Sequence, residues 1–220
     1  MQGESDVKED GLDGETVGVF GGTFDPVHFG HVGLAEDALA ASGLDRVLWI
    51  PNKRSPLKPD AEMASDAHRW AMLQAALSEH PSFALSRVEL DGADVSYSIE
   101  TLDRLAAGHP TARFRFIMGG DSVPDLPRWR EGERLVMDYD PVVVARPGTG
   151  DVLAACGLGA DAVARLRAGL VALHLRPISS TEIRRRVAQG KSLIGLVPDG
   201  VADYIRRHRL YQPAGAETDS

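Results

Sequence analysis

Short apolar runs recur along this 220-residue chain with helical patterns between them, and that alternation constrains the fold more than any other feature. Residues 16–21 (TVGVFG), 45–51 (DRVLWIP), 83–90 (FALSRVEL), 113–119 (RFRFIMG), 140–147 (DPVVVARP) and 170–177 (LVALHLRP) read as strands. Residues 30–42, 65–80, 98–108 and 160–169 read as helices, and two more helices close the chain. The Arg/Phe alternation of 113–119 predicts a partly wetted face, whereas 140–147 is buried in pattern. Strands joined through helices form βαβ units with right-handed crossovers, so an α/β fold is expected: a parallel sheet covered on both faces. Ligands of such sheets bind beyond the carboxyl ends of the strands near a topological switch point. The loops after the first, second, fourth and sixth strands are therefore the places to look for chemistry. No internal repeat or low-complexity linker divides the chain. A single domain over residues 15–211 is expected, with disordered tails at 1–14 and 212–220.

Hydrophobic residues make up 43% and charged residues 25%, ordinary for a globular chain long enough to bury a sizeable core. Acidic residues outnumber basic ones, 32 to 24, for a formal charge of −8. This argues against a nucleic-acid partner, which needs a basic face, but leaves room for a local pocket for a phosphorylated small molecule. The single cysteine, Cys156, excludes an intrachain disulfide and any cysteine-type metal spacing, so a reducing, cytoplasmic compartment is expected. Cys156 itself reads as a small apolar residue. The acidic N-terminus lacks the apolar segment of a signal peptide, and no apolar run approaches the roughly 18 residues of a membrane span. No membrane partner is expected. A homo-oligomer is possible on this composition and is not fixed by it.

The first strand runs into Gly21-Gly22-Thr23-Phe24-Asp25-Pro26-Val27-His28-Phe29-Gly30-His31. The glycine pair permits a sharp turn and close approach to a ligand, and Asp25-Pro26 fixes a second turn. Gly30 and His31 then open a helix whose free N–H groups and dipole suit an anion. His28 and His31, three apart in a first turn, share a side and can donate to phosphate oxygens. Read alone, H-x-x-H could also be metal ligands or surface residues, though two histidines without a carboxylate or cysteine make a poor zinc site. The glycines fit neither G-x-G-x-x-G nor a P-loop.

A second anion cradle lies near the other end, at Ile178-Ser179-Ser180-Thr181-Glu182-Ile183-Arg184. Ser179 and Glu182 form a capping box in which Ser179 caps the helix and Glu182 reaches back to the backbone N–H of the cap. Arg184, one turn in, can meet a phosphate as a charged fork. Ile183 and Val187 define the buried stripe, which turns Arg185 and Arg186 toward solvent. After the fourth strand, Gly120 and Asp121 suit a sugar, with the carboxylate accepting from ribose hydroxyls. Trp129 is a candidate for the core or for stacking on an aromatic ring.

Together these segments resemble the nucleotidyltransferase superfamily, and most closely the bacterial nicotinate-mononucleotide adenylyltransferases. "GGTFDPVHFGH" is similar to the superfamily signature whose H-x-G-H binds the triphosphate of ATP or CTP. "ISSTEIR" matches its I-S-S-T-x-I-R loop, and "GKSLIGLVPDGVADYIRRHRLY" its C-terminal pattern. "GGDSVPDLPRW" is similar to the family's G-x-D-x-x-x-x-x-x-W, in which the aspartate serves nucleotide binding and the tryptophan stacks on the nicotinate ring. "SYSIETL" resembles S-Y-T-x-x-T-L beside the pyridine ring, with Ser98 in place of threonine. The loop at 50–60 is similar to I-P-x-x-x-P-P-H-K, with Leu57 at the histidine position, and leaves Lys53 or Lys58 to face the phosphates. Arg69 stands at the arginine of D-R-x-x-M-x-x-x-A, with His68 at the aspartate, and is equally readable as a structural helix charge.

The resemblance, spanning residues 16–211, implies a Rossmann-like doubly wound fold and adenylyl transfer from ATP to nicotinate mononucleotide, a step of NAD biosynthesis. It implies that His28 and His31 act in catalysis, and that Gly21, Gly22, Thr23, Phe24, Gly120, Asp121, Ile178, Ser179, Ser180, Thr181 and Arg184 hold ATP. Lys53, Lys58, Tyr97, Ser98 and Trp129 would serve the second substrate. Mg²⁺ would travel with ATP and pyrophosphate, and no carboxylate cage for a resident metal is visible. Rival readings are a pantetheine-phosphate or glycerol-phosphate nucleotidyltransferase, a class I aminoacyl-tRNA synthetase and a noncatalytic nucleotide sensor.

Overall fold

A computed structural model describes residues 11–53, 63–92, 95–145, 153, 156–172 and 178–213. Among them are six strands, β1 (Thr16–Gly22), β2 (Arg46–Pro51), β3 (Phe83–Leu85), β4 (Arg113–Gly119), β5 (Val142–Ala145) and β6 (Leu170–Ala172). Seven α-helices surround them: α1 (Phe29–Ala41), α2 (Asp66–Leu77), α3 (Ser98–Gly108), α4 (Gly132–Tyr139), α5 (Ala160–Ala168), α6 (Ser180–Ala188) and α7 (Asp199–Arg207). A 3₁₀ segment spans Gly120–Arg128. The sheet is parallel throughout, in the order β3-β2-β1-β4-β5-β6. The chain winds outward from β1 to β3, then returns to lay β4 on the other side of β1. The expected doubly wound sheet is present, and its switch point falls between β1 and β4.

The period-2 pleat sorts the strand residues into two cores. Phe20, Val47, Trp49, Ile117, Val142 and Val144 face one layer, where α1, α2, α6 and α7 contribute Val32, Leu73, Ile183 and Ile205. Val17, Val19, Leu48, Phe116, Met118 and Val143 face the other, beneath α3, α4, α5 and the 3₁₀ segment. At Gly18 a Cβ would lie 2.6 Å from Ile117 and 2.7 Å from Leu44, so the central strand needs a glycine there to admit both side chains.

Several boundaries differ from the sequence expectation. The strand expected over 83–90 ends at Leu85, because the chain turns in and Glu89 is buried against the Thr101 hydroxyl at 2.7 Å. The strand expected from residue 140 begins at Val142: Asp140 takes a left-handed turn and pairs with Arg113 and Arg165. Residues 173–177 of the expected last strand lie outside the described residues. Helix α4 and the 3₁₀ segment are additional to the expected elements. The wetted face of β4 is as expected, with Arg113 exposed and Arg115 half-buried, donating to the carbonyls of Asp140 and Ser42. Cys156 is buried in the second core, as a small apolar residue would be.

Candidate active site

At the end of β1 the chain makes the sharp corner expected of Gly21-Gly22. A Cβ on Gly22 would meet the Phe24 ring at 2.9 Å. Phe24 is buried in the left-handed region (φ 49°) and packs edge-on against Phe20 and His31. The Asp25–Pro26 peptide is cis. His28, 4% exposed and extended in backbone, caps α1: its Nδ1 accepts the His31 N–H at 3.3 Å. Its proton therefore sits on Nε2, an assignment that follows from this bond. The glycine of H-x-G-H also has a local cause, because a Cβ on Gly30 would lie 2.9 Å from His28 Nδ1 and 3.4 Å from the Ile178 carbonyl.

The His28 and His31 rings stack with centroids 3.7 Å apart. Burial pulls the His28 imidazole down to about 4, against a partial offset from a backbone hydrogen bond. Burial, reinforced by the neighbouring His28, holds His31 well below the ordinary histidine range. Both rings are neutral at physiological pH and present N–H donors. His31 Nδ1 is buried with no hydrogen-bond partner among the described residues.

The serine loop meets this corner directly. Ser180 Oγ donates to the Pro26 carbonyl at 3.0 Å, and Arg184 Nη1 donates to the Asp25 carbonyl at 2.7 Å. Ser179 caps α6 by accepting the Glu182 N–H at 3.2 Å, as expected. The other half of the capping box is replaced. The Glu182 carboxylate pairs with Arg185 at 2.6 Å, because an arginine one turn on offers a charged fork where the backbone offers one neutral N–H. Ile183 is fully buried and Val187 packs on the same core, confirming the stripe. Arg185 is exposed, while Arg186 is half-buried and donates to the Ser192 carbonyl at 3.0 Å. The ends of α1 and α6 thus bring His28, Gly30, His31, Ile178, Ser180 and Arg184 together.

The remaining expected residues lie across the sheet or beside it. Gly119 ends β4 and Gly120 opens the 3₁₀ segment; a Cβ on Gly119 would lie 2.5 Å from Asp121 Oδ1, and one on Gly120 3.0 Å from Ala145 Cβ. Asp121 is exposed. Tyr97 caps α3, Ser98 is its first residue, and the Arg130 guanidinium lies 4.8 Å over the Tyr97 ring. Trp129 is half-buried against the second core and meets Phe116 edge-on at 5.8 Å, with Nε1 buried and lacking a hydrogen-bond partner among the described residues. Lys53 donates to the Gly92 carbonyl at 3.1 Å. Lys58 and Leu57 lie outside the described residues.

Three side chains support the corner: Arg69, for which a structural role is one of the two expected, and Asp25 and Tyr211, which carry no expected role of their own. Arg69 is fully buried and takes the structural reading: it donates to the Thr23 carbonyl at 2.7 Å and to Asp66 at 2.6 Å. Asp25 is 3% exposed and accepts the Tyr211 hydroxyl at 2.6 Å. The only signal for Tyr211 was its place in the C-terminal pattern, and Asp25 reads as an ordinary turn residue. Among the described residues, no three His, Cys, Asp or Glu side chains gather as a metal would need, and no helix is long and apolar enough to cross a membrane.

The cytidylyltransferase-like family matches residues 19–186. The chain belongs to that family. Within it, the chain is 42% identical over 197 residues to a Symbiobacterium thermophilum protein curated as "Probable nicotinate-nucleotide adenylyltransferase", covering 89% of this chain and 94% of the relative. A Roseiflexus castenholzii protein of the same name is 41% identical, with 89% and 97% covered. The fold is similar to that of Plasmodium falciparum nicotinic acid mononucleotide adenylyltransferase complexed with NaAD (TM-score 0.70, 18% identity, 90% of this chain and 97% of the other).

Proposed function

We propose that this chain is a nicotinate-nucleotide adenylyltransferase whose nucleotide site is the junction of α1 and α6. The observation that carries this reading is the meeting of two helix N-termini, one bearing H-x-G-H and the other I-S-S-T, joined by the Ser180–Pro26 and Arg184–Asp25 bonds. One such terminus suits a single anion; two facing each other suit a polyphosphate. The identity of over 40% to proteins named for this activity, across nearly the whole chain, supports the same substrates.

In this reading the 5′-phosphate oxygen of nicotinate mononucleotide attacks the α-phosphorus of ATP. The bond to the bridging oxygen breaks, its electron pair leaves with pyrophosphate, and deamido-NAD forms. The nucleophile comes with the substrate, so the protein contributes positioning and charge stabilisation. His28 and His31 donate to the phosphates, with His31 toward the α-phosphoryl group. Gly21, Gly22, Thr23 and Phe24 shape the corner, and Gly120 and Asp121 serve the nucleotide's ribose. Ile178, Ser179, Ser180, Thr181 and Arg184 hold the β- and γ-phosphates. Tyr97, Ser98 and Trp129 frame the pyridine ring, and Lys53 or Lys58 answers the second substrate's phosphate. The nucleotide would bring Mg²⁺ with it, carried mostly by phosphate oxygens and water, to neutralise the pyrophosphate; the corner's buried carboxylate, Asp25, is engaged by Tyr211 and Ala64.

The test offers ATP with nicotinate mononucleotide, nicotinamide mononucleotide, phosphopantetheine or glycerol phosphate and follows pyrophosphate release. Preference for the nicotinate substrate is expected. Equal or faster turnover of another acceptor overturns the substrate assignment, and ATP binding without pyrophosphate from any of them makes the protein a sensor.

A further inference from the structure

Asp25 lies between the histidine corner and α6, yet the chemistry above gives its carboxylate no part. Its Oδ1 accepts the Tyr211 hydroxyl at 2.6 Å and the Ala64 N–H at 3.2 Å. Its Oδ2 lies 3.7 Å from Arg184 Nη1, near enough for ionic attraction and too far for a hydrogen bond. That Nη1 donates instead to the Asp25 carbonyl, and Nη2 makes only a long contact of 3.4 Å with Thr181 Oγ1. The Arg184 fork is tethered by one short bond, while Oδ2 of the carboxylate beside it makes no hydrogen bond among the described residues.

Tyr211 reaches this carboxylate from 186 residues away along the chain. Its ring packs on the first core, and its backbone sits in the left-handed region (φ 62°), fixing where the hydroxyl points. Burial, with the Asp25 bond, pushes the phenol well above the ordinary tyrosine range, so the group stays a donor at every working pH. A phenol donated to a carboxylate at this distance is a charge-assisted bond that satisfies much of the anion's demand. Without it, a buried carboxylate would be short of a donor; of the two guanidiniums near this pair, Arg69 has Nη1 and Nη2 committed to the Thr23 carbonyl and Asp66, which leaves Arg184 to answer.

We propose that Tyr211 is a positioning residue for the nucleotide phosphates: by satisfying Asp25 it keeps that carboxylate from closing on Arg184, and so leaves the Arg184 fork to the substrate. The inference rests on the reading of Arg184 as a phosphate-binding arm. The two anions that would compete for Arg184, the Asp25 carboxylate and the nucleotide's phosphates, ask for the same guanidinium, so the balance between them sets affinity for ATP rather than the chemical step.

The experiment is a set of steady-state measurements on Tyr211→Phe, Asp25→Asn, Arg184→Ala and their pairwise combinations, with melting temperatures recorded. Tyr211→Phe is expected to raise KM for ATP about tenfold, with kcat within about threefold of wild type and KM for nicotinate mononucleotide unchanged. In Asp25→Asn the anion that captures Arg184 is gone, so KM for ATP stays at or below wild type, and adding Tyr211→Phe changes it less than about twofold. In Arg184→Ala, Tyr211→Phe adds nothing to KM for ATP. A Tyr211→Phe enzyme that melts lower but keeps wild-type KM for ATP overturns the proposal, as does an additive effect in Arg184→Ala. Should Tyr211→Phe not fold, Asp25→Asn alone decides: a tenfold rise in its KM for ATP overturns the proposal. If Arg184→Ala leaves KM for ATP unchanged while wild type turns over normally, the arginine's phosphate role fails and the proposal falls with it, separately from the substrate assignment.

Discussion

The imidazoles of His28 and His31 lie stacked, centroids 3.7 Å and planes 18° apart, at the first turn of α1. Two bases this close and this buried disfavour charge on either ring. The free protein therefore meets ATP with two neutral donors, and the arriving polyphosphate supplies the negative charge that favours protonation.

Proton uptake on ATP binding follows. Calorimetric titrations at pH 6 in buffers of different ionisation enthalpy should show net uptake approaching about one proton per ATP, falling toward zero above pH 8. Binding enthalpies that do not depend on the buffer at pH 6 would show that the histidines stay neutral against the phosphates.

The same pair shapes acid stability. The folded pKa of His28, about 4, lies below the unfolded value of 6.5. Between these values the unfolded chain binds a proton that the folded chain does not, so stability is fully present above pH 6.5 and declines as pH falls toward 4. For His28 the loss across this window amounts to about 3 kcal/mol. His28→Asn keeps an N-cap acceptor and removes the titration. Urea unfolding at pH 7 and pH 5 should show a clearly smaller loss in the variant than in wild type, and equal losses would assign the acid limb to other groups.

Gly30 is required by the imidazole beside it, not by its own backbone. A Cβ there would lie 2.9 Å from His28 Nδ1, so Gly30→Ala must displace the ring that caps α1. The expected result is a loss of about 100-fold or more in kcat/KM with a melting-temperature drop of only a few degrees. Wild-type activity in Gly30→Ala would mean that His28 tolerates displacement and does not hold substrate as read.

What the sequence disclosed depended on how local each determinant is. Strands β1 and β4 match their apolar runs because every second residue feeds one of two cores. Helix α4 leaves no such mark, because its start carries no capping side chain: Glu131 enters it in a left-handed conformation, and only Gly132, Leu135 and Val136 are buried along it. The 3₁₀ segment contains Pro124 and Pro127, which break the helical pattern that would announce it. H-x-G-H and I-S-S-T are legible because cap, glycine and donors lie within a few residues. Tyr211 on Asp25 and Arg69 on Thr23 are not, since partners 186 and 46 residues apart leave no periodicity. Glu182 shows the limit of a local rule: the motif called for a reciprocal cap, and a nearby arginine outcompeted it.

Arg69 gives the sharpest separation of support from chemistry. Its guanidinium is fully buried in α2, bonded to Asp66 and to the Thr23 carbonyl of the first corner, with Nε lacking a hydrogen-bond partner among the described residues. Removing one partner of a buried ion pair costs about 3–5 kcal/mol, because the remaining polar groups lose their compensation. Here Asp66 is partly exposed, with 38% of its side chain accessible, and can turn to water, which places Arg69→Met nearer the lower figure. The Thr23 carbonyl would lose its guanidinium donor too, so the corner would loosen locally as well. Arg69→Met should therefore lower the urea midpoint substantially and raise KM for ATP, with saturating ATP restoring most of the midpoint and of the turnover rate, since a ligand that binds only the folded state stabilises it by mass action. A variant of wild-type stability with kcat reduced a hundredfold would instead place Arg69 among the groups that touch the reacting phosphates.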